Sequence, residues 1–448
     1  MTIPALNSPF TYGSWTYTSP FEQYVYAYPH KTAYRPLDPE PALADVWAGE
    51  DTSTLFLYVH LPFCKIRCGF CNLFTRTGAP EELTTAYLDA LERQATAVRD
   101  ALGDAAFAQA AFGGGTPTYL TASELERLCL LTQRLTGGTS GVGVPLGVET
   151  SPDTATPDRL AILRDFGTSR ISIGVQSFVE AEVKAVARPL KTDQATKALD
   201  AIRDAGFPVL NIDLIYGITG QTEESWLASI DRALEWRPEE LYLYPLYKRE
   251  KTGLEKLEGI ALDPVWDEQR LRLYRAGRDH LLALGYEQVS MRMFRRPGEG
   301  GGTEYCCQED GMVGLGCGAR SYTSRLHYSF EYAVEASAVR SIIDEYVLAE
   351  DFSRARVGFA LDESERRRRH LLQSLLQADG VDVAAYTRRF RTDPEDDADL
   401  TPFAAKGWLE RTPETIRLTP EGLAYSDALG PALFTPEVQH LMDTYTPR

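Results

Sequence analysis

The sequence predicts an α/β protein in which a partial (β/α)6 barrel lies between an N-terminal arm and a small C-terminal winged-helix-like domain. Three observations support this fold class. Short apolar runs alternate with amphipathic helical patterns between residues 54 and 290, glycine and polar residues follow the apolar runs, and closely spaced helical patterns with a hairpin fill residues 341–448. Alternation of strand and helix favours right-handed β-α units around a parallel sheet.

The 448 residues divide into four predicted parts. These are an arm (1–53), the barrel (54–290), a segment that closes the active site (291–340) and the C-terminal domain (341–448). Within the last part, helical patterns at 365–378, 382–390 and 402–408 precede a hairpin in ERTPETIRLTPEGL. The four arginines at 366–369 follow acidic residues on one helix, which favours a solvated face over a DNA-binding one.

The barrel elements are predicted from periodicity. Candidate strands are 55–60, 109–113, 143–149, 169–175, 208–215 and 240–244, and candidate helices are 82–101, 122–135, 157–166, 193–205, 223–235 and 265–284. Parallel barrels carry their chemistry at the carboxyl ends of the strands. We therefore expect the functional residues where these runs stop.

Composition excludes several classes of function. A formal net charge of -18 and a pI near 4.9 disfavour nucleic acid as a partner. Seven cysteines in a long chain indicate a reducing compartment and not a disulfide framework. The first residues, MTIPALNSPF, do not resemble a secretion signal, and no apolar stretch approaches the ~20 residues that span a bilayer. We expect a cytoplasmic protein without a membrane partner.

The arm is rich in proline and aromatic residues, and its centre reads FEQYVYAYPHKTAYRPL. Two interpretations stay open. The arm either packs over the floor or side of the barrel, which is the simpler structural role, or it brings basic and aromatic side chains to the substrate mouth. In the second case His30 and Lys31 are candidate catalytic residues.

Residues 58–74, YVHLPFCKIRCGFCNLF, organise the rest of the site. Cys64, Cys68 and Cys71 form a Cys-x3-Cys-x2-Cys pattern directly after the first strand. Three thiolates from one short loop can hold three irons of a 4Fe-4S cluster, and the fourth iron then binds the amino and carboxylate groups of S-adenosylmethionine (SAM). The alternative is a zinc site or a set of buried thiols, but zinc usually needs a fourth ligand, often from a second Cys pair.

This segment resembles the signature of the radical SAM superfamily, and the residues before the first cysteine make it similar to the oxygen-independent coproporphyrinogen III oxidase-like (HemN-like) branch. The resemblance implies the partial radical SAM barrel, a 4Fe-4S cluster, SAM, a small-molecule substrate and an electron donor such as a flavodoxin or ferredoxin. It covers about residues 54–430.

The same resemblance assigns roles to individual residues. Those implied for the first SAM are Tyr58, Gly113, Gly114, Thr116, Glu149 and the backbone of Arg320. Those implied for a second SAM are Gln176, Arg188 and Asp213, which makes two SAM molecules per chain the expectation. Tyr247 lies at a further second-site position where the family usually has a small residue, so it is kept as a candidate only.

The remaining cysteines are less informative. Cys306, Cys307 and Cys317 lie close together in sequence and raise the question of an auxiliary cluster, although adjacent thiols suit one poorly. Cys129 falls on an apolar helix face and is predicted to be in the core.

Three reactions remain open within the resembling branch. The favoured one is methylation or cyclopropanation of an sp2 carbon, because the second SAM site is kept and Leu73 replaces a cysteine that is usual in the porphyrinogen oxidases. The others are oxidative decarboxylation of coproporphyrinogen III and heme binding by a chaperone with little turnover. The sequence does not identify the substrate or the oligomeric state.

Overall fold

A computed structural model describes residues 10–12, 15–137, 143–188, 192–258, 263–298 and 311–446. Its main element is one sheet of 13 strands. In chain order these are β1 (Arg35–Pro36), β2 (Leu55–Leu61), β3 (Phe107–Gly114), β4 (Leu146–Thr150), β5 (Thr168–Gln176), β6 (Val209–Tyr216), β7 (Glu240–Pro245), β8 (Glu287–Gln288), β9 (Met293–Arg295), β10 (Met312–Leu315), β11 (Arg320–Tyr322), β12 (Leu326–Ser329) and β13 (Val357–Ala360).

The strand order is β8-β9-β7-β6-β5-β4-β3-β2-β10-β11-β12-β13-β1. The strands from β10 through β2 to β7 are parallel, and the strands outside this run pair antiparallel. All six predicted strands are present, and no pairing closes the sheet into a full barrel among the described residues. The seventh parallel strand, β10, was not predicted. Its four residues lie in the segment we expected only to close the site.

Most of the helices before residue 350 pack against this sheet, and those after residue 360 belong to the C-terminal region. They are α1 (Leu43–Trp47), α2 (Glu81–Leu102), α3 (Ala122–Thr136), α4 (Pro157–Asp165), α5 (Glu180–Ala185), α6 (Thr192–Ala205), α7 (Glu223–Leu234), α8 (Gly253–Glu258), α9 (Pro264–Ala283), α10 (Ala336–Leu348), α11 (Glu363–Leu375), α12 (Val383–Phe390), α13 (Pro394–Asp397), α14 (Thr401–Ala405), α15 (Pro420–Leu423), α16 (Ser426–Ala432) and α17 (Pro436–Asp443). Capping boxes at Thr121 and Thr222 fix where α3 and α7 begin. Because each helix begins after the end of the preceding strand, the carboxyl ends of the strands are available to functional residues.

The C-terminal region has the predicted helices and a small antiparallel sheet. That sheet consists of β14 (Val381–Asp382), β16 (Thr415–Leu418) and β15 (Leu409–Arg411), in this spatial order. Its apolar core is separate from the barrel core and also includes Tyr17, Tyr28 and Tyr34 of the arm. The arm is therefore anchored by the C-terminal region.

Two further contacts fix the arm. The Tyr28 hydroxyl donates to the Glu365 carboxylate, and Arg35 donates to Thr444 Oγ1 at 3.1 Å.

The described part of the chain contains no helix with the length and apolar character needed to cross a bilayer. The division into four parts stays a prediction.

Candidate active site

The cysteine loop is held at the carboxyl end of the sheet by backbone hydrogen bonds. The Gly69 N–H donates to the Val186 carbonyl at 3.0 Å, and the Gly69 carbonyl accepts from the Leu254 N–H at 2.8 Å. A Cβ at position 69 would lie 2.9 Å from the Ala187 Cβ, so glycine permits this close approach. The loop is thus held between the end of α5 and the first turn of α8.

All three loop thiols are free and partly exposed. Burial raises the pKa of Cys64 to about 12, while a 3.5 Å contact to the Thr116 hydroxyl opposes this rise. Burial also raises the pKa of Cys68, and the nearby Arg188 guanidinium opposes it. Thiols that resist ionisation when alone need a strongly cationic partner to become thiolates, and iron provides one.

The donor set fits a cluster better than a single ion. Among the described residues, no group of three His, Cys, Asp or Glu side chains is arranged to hold one metal ion. In a cubane each cysteine binds a different iron, so its ligands are spread and do not converge on one point. Cys64, Cys68 and Cys71 are the residues that would hold the cluster.

The glycine run at the end of β3 lies very close to neighbouring side chains. A Cβ on Gly113 would lie 3.0 Å from both the Glu149 carboxylate and the Tyr58 hydroxyl. Gly114 has a φ of +105°, and its Cβ would lie 2.4 Å from the His60 ring. The His60 Nε2 lies 3.1 Å from the Phe74 carbonyl, so this buried ring joins β2 to the end of the cysteine loop.

Two carboxyl groups lie on strands β4 and β6, on either side of β5. Glu149 Oε2 accepts from the Gly114 N–H at 3.2 Å, and its pKa is raised to about 7 by desolvation and by the charge of Asp213. Desolvation raises the pKa of Asp213 to about 6, although a hydrogen bond from Asn211 at 2.7 Å opposes the rise. Both groups therefore change charge near neutral pH and can accept hydrogen bonds from hydroxyl groups.

The predicted second-site residues lie together. Gln176 ends β5 with a φ of +74°, unusual for a residue other than glycine, and a register shift in β6 lies opposite it. Arg188 donates to the Gly174 carbonyl at 2.7 Å and lies close enough to Asp213 to lower its pKa. The structure thus brings Gln176, Arg188 and Asp213 to the same rim as Glu149.

The arm reaches this rim and not the barrel floor. The Lys31 ammonium lies 3.5 Å from the centroid of the Tyr332 ring, and the Tyr332 hydroxyl donates to the Asn72 carbonyl in the cysteine loop. Tyr26 accepts a hydrogen bond from Arg320 at 2.8 Å and lies 3.4 Å from His30. Both interpretations of the arm therefore hold in part, because Lys31 and Tyr26 reach the rim while Phe21, Leu43 and Trp47 pack into the barrel core from its side.

Positive charge accumulates where the arm meets the rim. Burial lowers the pKa of Lys31 well below its usual value, and Arg320 and Arg249 lower it further. Burial likewise lowers the pKa of His30, with added repulsion from Lys31. Within the described ranges Lys31, Arg249 and Arg320 have no carboxylate at ion-pair distance. Sequence reasoning missed Arg249, since no motif marks it.

Tyr247 belongs to a buried junction. Its hydroxyl donates to the Asp427 carboxylate and accepts from Arg292. Arg292 also donates to both Asp427 oxygens at 2.6 Å and stacks 3.8 Å from the centroid of the Tyr24 ring. Tyr247 thus connects the barrel to the C-terminal region, and its predicted contact with a second SAM stays untested.

The other cysteines are placed as follows. Cys129 is buried on α3, as predicted, and Cys317 is buried 3.7 Å from the Tyr87 hydroxyl. Cys306 and Cys307 lie outside the described residues. The auxiliary cluster that the sequence disfavoured at these three cysteines is therefore not tested.

Comparison with known proteins identifies two matching families. The Radical SAM superfamily matches residues 58–233, and the HemN C-terminal domain matches residues 361–425. The oxygen-independent coproporphyrinogen III oxidase of Paracoccus denitrificans is 28% identical over 421 residues, which cover 88% of this chain and 90% of the relative. The heme chaperone HemW of Bacillus subtilis is 26% identical over 371 residues, which cover 82% and 95%.

A solved structure agrees on the fold. Coproporphyrinogen III oxidase (HemN) from Escherichia coli has a TM-score of 0.70 to this chain at 24% identity, covering 89% of this chain and 92% of that one. The resemblance and the fold class predicted from the sequence are confirmed. The methylation or cyclopropanation that the sequence favoured is not supported, because these relatives are named as a coproporphyrinogen III oxidase and a heme chaperone.

The family match supports the type of cofactor but not the details of how it is bound. Radical SAM proteins use a 4Fe-4S cluster and SAM, while the number of SAM molecules and the roles of individual residues stay predictions. The geometry supplies what such a site needs: three thiols on one clamped loop, a glycine-lined rim and carboxylates at the strand ends. The chain thus carries a Radical SAM domain followed by a HemN C-terminal domain, as the resemblance in its sequence implied.

Proposed function

We propose that this chain oxidises a small substrate that bears carboxylate groups, by hydrogen abstraction followed by decarboxylation, as in coproporphyrinogen III oxidation. The observation that carries the proposal is the cationic group formed by Lys31, Arg249 and Arg320 beside the cysteine loop. The names of the relatives support the reaction class.

The three cationic side chains, Lys31, Arg249 and Arg320, need an anionic partner. Arg320 and Arg249 both lower the pKa of Lys31, so each guanidinium group repels the Lys31 ammonium. Like charges that are partly removed from water are unfavourable unless an anion joins them. A substrate carboxylate would relieve this repulsion, and a guanidinium can bind it through two parallel hydrogen bonds.

Aromatic rings complete the mouth. Tyr26 and Tyr332 flank Lys31, and Tyr24 and Tyr244 lie edge to face with centroids 6.3 Å apart. Such surfaces suit a flat, unsaturated substrate, since aromatic rings pack against one another at these distances. The mouth therefore combines a flat apolar surface with sites for acidic groups at its edge.

The site residues have separate tasks in this proposal. When bound and reduced, the cluster and SAM would supply the radical chemistry that removes one hydrogen atom from the substrate. Cys64, Cys68 and Cys71 hold the cluster, the backbone at Gly113 and Gly114 and the Glu149 carboxylate orient SAM, and the arm cations bind the substrate carboxylates. The arm also covers the mouth, which limits access of water to the reactive species.

The stoichiometry of the reaction determines which products the assay must measure. Loss of a hydrogen atom and of CO2 from a propionate side chain leaves a vinyl group and one electron, which must go to an acceptor. Anaerobically reconstituted protein should be incubated with SAM, dithionite, coproporphyrinogen III and an acceptor dye. We expect vinyl products, CO2 and 5'-deoxyadenosine in equal amounts per propionate.

The Lys31→Gln variant tests the cationic group. We expect KM for the substrate to rise by about tenfold or more, because one charge-assisted hydrogen bond is worth about 1.5–3 kcal/mol. Lys197→Gln, at an exposed ammonium on α6, is the matched control and should leave KM unchanged. An equal KM in Lys31→Gln and the wild type would contradict the proposed substrate site.

A heme chaperone is the second candidate, favoured by the similarity to HemW over most of both chains. Absorption titration with heme under the same anaerobic conditions separates the two functions. Tight heme binding without vinyl product would replace the oxidase proposal. Transfer of label from methyl-labelled SAM to the substrate would instead restore the alkylation that the sequence had favoured.

A further inference from the structure

A short segment that follows β12 lies between the cysteine loop and the arm. Arg67, inside the cysteine loop, donates to the Val334 carbonyl at 2.7 Å. The Tyr332 hydroxyl donates to the carbonyl of Asn72, the residue after the third cysteine, at 3.1 Å. Between these two contacts Ala333 is 1% exposed and packs in the barrel core. The segment is therefore fixed to the barrel and bonded to the cysteine loop at two points.

On the arm side, the ring of Tyr332 contacts the Lys31 side chain. The Lys31 ammonium lies 3.5 Å from the centroid of this ring and 5.9 Å from the centroid of the Tyr26 ring. Within the described ranges, this ammonium donates no hydrogen bond and has no carboxylate at ion-pair distance. A cation is attracted to the face of an aromatic ring. The two rings thus hold the ammonium while its three N–H donors stay available.

The backbone at Lys31 is fixed as well. Lys31 begins a single helical turn that ends at Ala33, whose N–H donates to the His30 carbonyl at 2.9 Å. Arg35 donates to the Thr32 carbonyl of the same turn at 2.9 Å. Because the backbone is fixed at one end of the side chain, the position of the ammonium depends on the ring at the other end.

An aromatic ring holds an ammonium group differently from a carboxylate. A carboxylate at the position of the Tyr332 ring would also hold Lys31, but it would neutralise the charge and occupy the N–H donors. The ring leaves both the charge and the donors to an anionic ligand. The contact with Tyr332 is therefore suited to a lysine that must be placed accurately and must still bind an acidic group.

We propose that Tyr332 is a positioning residue, whose ring holds Lys31 and whose hydroxyl fixes that ring to the cysteine loop, so that a substrate carboxylate bound by Lys31 lies at a set distance from this loop. The inference rests on the proposed function, because that function gives Lys31 a carboxylate to bind. The ring affects how tightly the substrate binds. The hydroxyl affects how accurately it is placed, and a misplacement of about 1 Å can cost about 100-fold in rate.

Two variants separate the ring from the hydroxyl. Tyr332→Leu removes both, whereas Tyr332→Phe removes the hydroxyl alone. For coproporphyrinogen III we expect KM to rise by about tenfold in Tyr332→Leu and to stay within about twofold of the wild type in Tyr332→Phe. In both variants about threefold more 5'-deoxyadenosine should form per vinyl group, because SAM is cleaved while the substrate is misplaced.

Tyr286→Phe is the matched control. The Tyr286 hydroxyl also donates to a backbone carbonyl, that of Pro238 at 2.6 Å, but this contact precedes β7 and lies at the opposite end of the sheet from the rim. KM and the ratio of 5'-deoxyadenosine to vinyl groups should equal those of the wild type. An equal change in the control and in Tyr332→Phe would overturn the role of the Tyr332 hydroxyl.

A double-mutant cycle distinguishes positioning from a general loss of structure. If the ring acts through Lys31, Tyr332→Leu should raise KM by less than about twofold in a Lys31→Gln background, because the ammonium that the ring holds is absent. A tenfold rise in both backgrounds would overturn the inference.

A measurement without substrate tests the position of Lys31 directly. The lysines of the reconstituted chain are dimethylated with isotope-labelled formaldehyde, and the NMR signal of Lys31 is assigned by its loss in Lys31→Gln. The ring current of Tyr332 should shift this signal upfield in the wild type and in Tyr332→Phe, and the shift should disappear in Tyr332→Leu. A signal at the same position in all three proteins would overturn the inference.

Two combinations of results separate the role of Tyr332 from the proposed substrate. If the upfield shift depends on the Tyr332 ring and no vinyl product forms, Tyr332 positions Lys31 and the proposed substrate is wrong. If vinyl product forms and both Tyr332 variants keep the wild-type KM and product ratio, the proposed function holds and Tyr332 has no positioning role.

Discussion

The rim of the parallel sheet and the junction beneath the arm are built in opposite ways. At the rim, functional contacts join residues close in sequence: Gly114 to Glu149 over 35 residues and Arg188 to Gly174 over 14. At the junction, Tyr247 bonds Asp427 over 180 residues, and Arg292 bonds Asp427 over 135. The rim is a property of successive β-α units, whereas the junction exists only when the whole chain is folded.

This difference separates the residues that take part in SAM cleavage from those that select and bind the substrate. The rim supplies the groups expected of any radical SAM protein, and they follow strand ends whose position is fixed by the sheet. The junction and the arm supply cations and aromatic rings around the mouth. Changes at the rim should therefore affect SAM cleavage, and changes at the junction should affect stability and substrate binding.

The largest effect is expected at the cysteine loop. Replacement of Cys64, Cys68 or Cys71 by alanine should abolish the visible absorption of the reconstituted cluster, because each thiolate holds a different iron. Cys129→Ala is the control, since Cys129 is buried on α3 away from the loop, and it should keep the absorption. Iron retained in all three loop variants would move the cluster elsewhere, toward Cys317 and the two cysteines near it in sequence.

The next largest effect tests the junction. Asp427→Asn leaves the Arg292 guanidinium buried without its counter-charge, and both side chains are at most 5% exposed. Removing one partner of a buried ion pair costs about 3–5 kcal/mol. Glu421→Gln removes the partner of Arg275 in an exposed pair and should cost at most about 1 kcal/mol.

Urea unfolding of the two variants compares these costs. A similar loss of unfolding free energy in both would mean that the junction is no more important than a surface contact. Dithionite-driven SAM cleavage should survive in Asp427→Asn at temperatures where the variant stays folded, because the rim does not use this pair.

The sequence predicted the rim but not the junction, for a physical reason. Strand periodicity placed all six barrel strands to within a few residues, and glycine and carboxylate positions at strand ends marked Gly113, Gly114 and Glu149. No local pattern relates Arg292 to Asp427, because only tertiary packing brings them together. The position of Lys31 likewise depended on the C-terminal core that anchors Tyr28 and Tyr34.

A smaller effect is expected at the glycine run. Gly114→Ala must place a Cβ 2.4 Å from the His60 ring at a φ of +105°, whereas Gly137→Ala meets nothing within 4 Å at a φ of +77°. Both substitutions pay about 1 kcal/mol for the positive φ, and the clash adds about 1–3 kcal/mol at Gly114. Thermal unfolding should show the larger loss for Gly114→Ala, together with weaker SAM binding that Gly137→Ala lacks.

The smallest effect concerns the protonation of Glu149. Its pKa of about 7 lies above the usual value for a glutamate, so the carboxyl group gains its charge as the pH rises through neutrality. An ionised carboxylate accepts hydrogen bonds from the SAM ribose better than a protonated one does. SAM affinity should therefore rise by about tenfold across this range, an effect of about 1.4 kcal/mol.

The Glu149→Gln variant keeps the size of the side chain but cannot ionise, so its SAM affinity should stay level across neutrality in equilibrium dialysis. A residual change centred near pH 6 would report Asp213, whose pKa is raised to about 6. If the variant reproduces the full wild-type slope, the titrating group is not Glu149, and the rim would then resemble the junction in depending on a residue that the strand ends do not reveal.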